Sequence, residues 1–121
     1  MKNYKDLKFF AESAGFTVTS TTGGKHNRGS KHALGLAIDV RTRDKSDAQI
    51  ERLMRQCAAL GVRVRDERIK PNGQKVWSGS HLHLEITAQT LNTVINFQKS
   101  HDLKADGIAG KLTIAKALLI K

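Results

Sequence analysis

The sequence has one cysteine, one proline and few aromatic residues, which make up 5% of its 121 residues. The lone Cys57 excludes an internal disulfide and a thiolate metal cage, and its place on the apolar side of a predicted helix indicates a core thiol. No apolar run approaches the roughly 20 residues that span a bilayer. Residues 1–6 are polar and charged where a signal peptide would turn hydrophobic, so we expect synthesis in the cytoplasm without a signal peptide or membrane span.

Acidic side chains are also scarce, 11 against 21 basic ones, which leaves a formal charge of +10. A surface of this kind attracts polyanions, and both nucleic acid and the bacterial cell wall qualify. Nucleic acid is the weaker candidate, because the few aromatic residues do not alternate with Lys and Arg to stack on bases. With 39% hydrophobic residues, the chain suits one small core, which excludes a large multidomain enzyme.

The hydrophobic pattern predicts short strands between helices, and therefore an α+β fold. After residue 87 two helices flank a turn, and residues 89–121 are too few for an independent core, so they should pack on residues 1–88 or be only loosely ordered. The predicted helices cover residues 4–14, 46–60, 91–98 and 112–119. The predicted strands cover residues 16–20, 36–40, 62–67 and 81–86, with a turn at 71–73 and a hairpin partner at 75–77.

The residues suited to chemistry concentrate in two segments, one from Ser30 through His32 to Asp39 and the other His81-Leu82-His83. The strand period of two puts His81 and His83 on one face and the leucines of that strand on the other. Asp39 likewise points away from the apolar face of its own strand. Two imidazoles and one carboxylate are a ligand set that Zn²⁺ accepts, with a fourth position open for water. Histidines opposite an apolar face are also often plain solvent-facing residues, so the pattern leaves both interpretations open.

The string Ser30-x-His32-x-x-Gly35-x-Ala37-x-Asp39, with the later His-x-His, resembles the signature of zinc D-Ala-D-Ala carboxypeptidases and phage L-Ala-D-Glu endolysins. The resemblance spans residues 16–86 and implies a small hedgehog/DD-peptidase-like antiparallel sheet with helices packed on one face. It also implies one Zn²⁺ per chain, bound by His32, Asp39 and His83. The expected activity is zinc-dependent hydrolysis of a stem-peptide or cross-link bond in peptidoglycan. The protein would gain access to the cell wall after lysis-type release from a cell.

The proton carrier is a point where this chain departs from many relatives, which have an acid three residues before the last zinc histidine. Ser80 stands at that position. Similar His-x-His members give their first histidine this role, and His81 shares the strand face of the ligand, so the resemblance favours His81. Glu85 on the same face, and Asp66 or Glu67 in the preceding strand, are the alternatives.

A cationic anchor is expected beside the site, because peptidoglycan peptides end in carboxylates. The loop before the first ligand contains Lys25, His26 and Arg28. Arg28 is the first choice as a catalytic-site residue, since its guanidinium fork can bind a carboxylate bidentately, although the loop could also be simply solvated. Arg63 and Arg65 alternate with two valines and are the second choice.

The segment from Phe97 to Thr113 resembles the repeat of the peptidoglycan-binding domain, with a Phe-Gln helix, a Leu-x-x-Asp-Gly-Ile-x-Gly turn and a Thr-led final helix. One repeat is present, and Lys111 stands where Pro is usual. The resemblance implies a zinc peptidase domain over 1–88 and half of a wall-binding module over 89–121. A helical pair that only supports the enzyme is the alternative.

Together these features predict a monomeric zinc peptidase that acts on bacterial peptidoglycan, with its positive charge favouring anionic wall polymers. One alternative is a non-catalytic wall-binding protein of the same fold with a structural zinc. A basic nucleic-acid-binding domain would explain the charge but not the ordered His, Asp and His-x-His set, so nucleic acid is the less favoured partner.

Overall fold

The structure, a computed structural model, describes residues 1–22, 30–69, 72–74 and 79–121. These residues form an α+β fold, which confirms the predicted class; the predicted hairpin partner at 75–77 and Pro71 of the predicted turn lie outside them. The helices are α1 (Tyr4–Ser13), α2 (Asp47–Ala59), α3 (Thr90–Ser100) and α4 (Lys111–Ala117). The strands are β1 (Val18–Ser20), β2 (Ala37–Arg41), β3 (Val62–Asp66) and β4 (His81–Ile86).

The four strands form one antiparallel sheet in the order β1-β2-β4-β3. The last strand in the sequence, β4, therefore lies between β2 and β3. Asp39 on β2 is directly opposite His83 on β4, and Arg65 on β3 is opposite His83 from the other side. The sheet order thus brings together the two segments that carry the candidate ligands.

One face of the sheet carries the hydrophobic core. The residues predicted for this face, Ile38 and Val40 of β2 and Leu82 and Leu84 of β4, are fully buried. They belong to a single cluster that also takes residues from all four helices. Because the apolar side chains occupy this face, the alternate residues of β2 and β4, which carry the imidazoles and carboxylates, lie on the other one.

Helix α2 begins and ends where its sequence predicts. The Ser46 hydroxyl accepts from the Gln49 N–H at 3.1 Å, and the Gln49 side chain accepts from the Ser46 N–H at 2.8 Å, which completes a capping box. After the helix, Gly61 adopts a φ of 70° and turns the chain into β3. Ile50 and Leu53 then face the core at helical spacing.

The C-terminal helices pack on the preceding body, one of the two outcomes expected for residues 89–121. Val94 and Phe97 of α3 and Ile114 of α4 belong to the same core cluster as the sheet. The buried Gln98 donates to the Asp106 carboxylate, the Ile108 carbonyl and the Thr113 hydroxyl, and accepts from the Gly107 N–H. This amide binds the turn between α3 and α4, so the Phe-Gln pair of the sequence motif has a structural role.

Strand β1 is shorter than predicted. Phe16 is buried in the core, but its N–H donates to the Ala11 carbonyl at 3.0 Å and closes the end of α1 instead of joining the sheet. Pairing with β2 begins at Val18 and is irregular as far as Ser20. A buried aromatic residue can therefore satisfy the alternation of a strand while its backbone belongs to a helix end.

Candidate metal centre

Three side chains converge on the polar face of the sheet. The His32 Nε2 atom lies 3.2 Å from Asp39 Oδ1 and 3.1 Å from His83 Nδ1, and the last two atoms are 3.2 Å apart. His32 and His83 are 7% and 5% exposed. Among the described residues these three form a group that could bind a metal ion, and they are the three ligands that the sequence motif implies.

The spacing of these atoms fits a first-row metal. Tetrahedral zinc with nitrogen and oxygen ligands at about 2.0–2.1 Å needs ligand atoms about 3.3 Å from one another. The three atoms are 3.1–3.2 Å apart, so small shifts satisfy this requirement. Two imidazole nitrogens and one carboxylate oxygen are also donors that zinc prefers.

The partners of the two histidines fix which ring nitrogen faces the group. His32 Nδ1 lies 2.9 Å from the Thr21 carbonyl oxygen, which can only accept, so this nitrogen carries the hydrogen. His83 Nε2 lies 3.0 Å from Glu85 Oε1 and donates to that carboxylate in the same way. A neutral imidazole then turns its lone pair toward Asp39 in both cases. Three lone pairs at this distance repel one another unless a cation lies between them.

The pKa shifts of His83 and Asp39 both favour a positive charge beside the Asp39 carboxylate. In protonated His83, Nδ1 also carries a hydrogen and donates it to Asp39, which raises the pKa of His83 against the opposing effect of burial. Burial would raise the pKa of Asp39, but the hydrogen bond from His83 and the neighbouring histidines together lower it. A proton on an imidazole or a bound metal ion can supply this charge.

His32 reaches the group because of the tight turn that precedes β2. The Gly35 N–H donates to the His32 carbonyl at 3.0 Å, and the Leu36 N–H donates to the Lys31 carbonyl at 2.8 Å. Gly35 has a φ of 72°, in the left-handed region that side chains with a Cβ rarely adopt. The glycine of the motif is therefore required by the backbone between the two ligands.

Substitution of Gly35 tests this requirement. We expect Gly35→Ala to lower the free energy of unfolding by about 1–2 kcal/mol, the cost of holding a residue with a Cβ in left-handed geometry. Gly35→Asn should cost less, because asparagine tolerates this geometry, so it serves as the matched variant. Denaturant unfolding curves would measure both. Equal effects of the two substitutions would contradict a conformational role.

Glu85 lies behind His83. Its side chain is 6% exposed, with Oε1 at His83 Nε2 and Oε2 3.9 Å from the Arg63 guanidinium. Both carboxylate oxygens therefore face cations or donors of the protein. The position favours orientation of His83 over proton transfer to a substrate.

His81 lies beside the group. Its Nε2 atom is 3.8 Å from Asp39 Oδ1 and 3.1 Å from Glu67 Oε2, and its Nδ1 is 2.6 Å from the Gly79 carbonyl oxygen. The side chain is 26% exposed, against 6% for that of His83. His81 therefore shares the strand face of His83, as the alternation predicts, and is the more exposed of the two.

Other residues predicted for the site have different positions. Asp66 binds the Arg68 guanidinium at 2.7 Å, which lowers the pKa of Asp66, and the structure does not bring it to the group. The Ser80 hydroxyl lies 2.6 Å from that of Thr42. Arg28, the predicted carboxylate anchor, lies outside the described residues, as do Lys25 and His26.

The second-choice anchors do reach the polar face. Arg63 is opposite Glu85 in the register and Arg65 is opposite His83, and both side chains are more than half exposed.

The supporting carbonyls of Thr21 and Gly79 were not anticipated from the sequence, because any residue type provides a backbone carbonyl. Only the folded path of the chain identifies them.

The chain matches no protein-family model, no curated protein and no solved structure. Within the described residues, no helix has the length and apolar character needed to cross a membrane.

Proposed function

We propose that this protein is a zinc metallopeptidase that hydrolyses a peptide bond in bacterial peptidoglycan. The observation that carries the proposal is the convergence of His32 Nε2, Asp39 Oδ1 and His83 Nδ1 within 3.2 Å, with both imidazoles held as metal-binding tautomers. Three protein ligands are typical of catalytic zinc sites, whereas structural sites have four. The same residues occupy the ligand positions of the motif, which supports the hedgehog/DD-peptidase-like fold as part of the proposal.

Each residue has a separate task in this mechanism. His32, Asp39 and His83 would bind the ion, and the Thr21 carbonyl and Glu85 orient the two imidazoles. Bound zinc would supply a Lewis acid that polarises the scissile carbonyl and acidifies a water molecule. His81 would move the proton through Nε2, the ring nitrogen that lies nearest to Asp39.

The charge of the surface supports an anionic substrate. Arg63 and Arg65 stand more than half exposed on the face that carries the metal group, and the chain has a formal charge of +10. A stem peptide with free carboxylates suits such a face, and guanidinium groups bind carboxylates well. Arg28 is the residue we propose for the main anchor, and the C-terminal helices would add contacts to the wall and its anionic polymers.

A structural metal is the second candidate role. His32 and His83 are almost fully buried, and the ion would join the turn before β2 to the centre of the sheet. A protein of this kind would bind the wall without cutting it. His81, partly exposed beside the three candidate ligands, is what favours the catalytic proposal, because a purely structural ion needs no proton carrier.

One digestion experiment tests the proposal. Peptidoglycan treated with the purified protein should give new amino and carboxyl ends detected by mass spectrometry, and a chelator should stop their formation. Elemental analysis of protein never exposed to chelator should give about one zinc per chain, the stoichiometry of a single three-ligand site. Absence of any stoichiometric transition metal would contradict the site, and bound zinc without bond cleavage would support the structural role.

A further inference from the structure

Glu67 is joined to His81 through both backbone and side chain. It follows β3 directly, and its N–H donates to the His81 carbonyl oxygen at 3.1 Å. Its Oε2 atom lies 3.1 Å from His81 Nε2. This backbone hydrogen bond holds the two residues next to each other, which brings the Glu67 carboxylate within reach of the His81 ring.

The second carboxylate oxygen of Glu67 is held by Arg65. The Arg65 Nη2 atom lies 3.0 Å from Glu67 Oε1. Arg65 and Glu67 are two residues apart and share the polar face of the sheet. Charge-assisted bonds at this distance restrict the rotation of the carboxylate, so Oε2 stays directed at the imidazole.

The orientation of the His81 ring depends on its contact with the Glu67 carboxylate. The Gly79 carbonyl lies 2.6 Å from Nδ1 and the Glu67 carboxylate lies 3.1 Å from Nε2, so the two ring nitrogens face acceptors at opposite edges. His81 has the most exposed side chain of the histidines on this face, 26% against 8% for His32 and 6% for His83. With only one of these contacts the imidazole would rotate about its Cβ–Cγ bond.

We propose that Glu67 is a positioning residue, whose carboxylate holds the His81 imidazole beside the three candidate ligands, with Nε2 3.1 Å from Glu67 Oε2 and 3.8 Å from Asp39 Oδ1. Glu67 acts through His81, because its two carboxylate oxygens face Arg65 and His81 and not the three candidate ligands. The role for catalysis rests on the proposed function, since the activity of His81 is part of that proposal. The orientation of the ring is a separate property and is measured without activity.

Two variants of Glu67 separate positioning from other roles. Glu67→Ala should lower kcat by about 10–100-fold, the loss found when the orienting partner of a histidine is removed, while KM and zinc content stay unchanged. Glu67→Gln keeps an oxygen that can accept from the ring and should recover most of the lost rate. Glu51→Ala, which removes an exposed carboxylate from α2, is the matched control and should behave as the wild type.

NMR of the histidine rings gives the readout that does not need activity. In Glu67→Ala the ring resonances of His81 should shift, those of His32 and His83 should remain, and Glu67→Gln should shift His81 less. Unchanged His81 resonances in Glu67→Ala would overturn the proposal. So would a Glu67→Gln variant as slow as Glu67→Ala with an unshifted ring, because Glu67 would then transfer the proton. A wild type that cuts no peptidoglycan would contradict the proposed function, whereas shifted His81 resonances in Glu67→Ala would still support the positioning contact.

Discussion

His83→Ala is expected to remove bound zinc and peptidoglycan hydrolysis together. His83 supplies one of the three atoms of the candidate site, from β4, one of the two central strands. Without Nδ1, His32 and Asp39 would remain as two protein ligands, fewer than the three of known catalytic zinc sites. The zinc affinity should therefore fall by more than the roughly 10–100-fold that follows the loss of a supporting hydrogen bond.

Metal analysis after dialysis, with hydrolysis measured on the same samples, checks this expectation. Asp39→Asn gives a second test that keeps the size of the side chain, and it should also lose zinc. His101→Ala is the matched control, because this histidine stacks on Phe97 at 4.1 Å in the C-terminal part of the chain and should leave the zinc in place. If His83→Ala keeps both metal and activity, the ligand assignment is wrong.

The faces of the strands could be predicted from sequence, whereas their neighbours could not. Alternation along β4 placed His83 opposite the leucines, and the structure confirms this. The contact between Asp39 and His83 also requires β2 to lie beside β4, although β3 comes between them in the chain. Periodicity is a local property, and it carries no information on which strands pair.

The sequence also could not predict which partner each carboxylate on the polar face binds. Glu85, on the same strand face as His81, and Glu67, at the end of the preceding predicted strand, are both alternative proton carriers by sequence. The structure separates them: Glu85 binds His83 from a buried position, and Glu67 binds His81 at the exposed side. This distinction depends on side-chain distances of about 3 Å, the range within which hydrogen bonds form, and the sequence does not give such distances.

The sequence leaves two arrangements open for residues 89–121, which could pack on the preceding residues or be loosely ordered. The structure shows that they pack. Val94 and Ile114 complete the core that the sheet and α2 begin, and Gln98 satisfies four polar partners in the turn between the helices. A buried amide with this many bonds was not visible in the pattern of apolar residues, since glutamine is more often exposed.

The second large effect is expected for His81→Ala, which should keep its zinc and lose most of its rate. His81 Nε2 is 3.8 Å from Asp39 Oδ1, outside the set of atoms within 3.2 Å of one another that would bind the ion. Removal of the imidazole therefore leaves all three ligands and their supporting partners in place. Loss of proton transfer should reduce kcat by roughly 10²-fold or more.

The comparison of three alanine variants on one strand face decides which residue carries the proton. His83→Ala should lose zinc, His81→Ala should lose rate at full zinc occupancy, and Glu85→Ala should weaken zinc binding by about 10–100-fold because it frees the His83 ring. Excess zinc should then restore Glu85→Ala but not His81→Ala, and rates measured at saturating metal distinguish the two. Loss of zinc in His81→Ala would make His81 a ligand. Full rate in His81→Ala, with Glu85→Ala inactive at saturating zinc, would assign proton transfer to Glu85. Saturating zinc removes any difference in metal occupancy between the two variants, so the remaining difference in rate would come from the missing side chain.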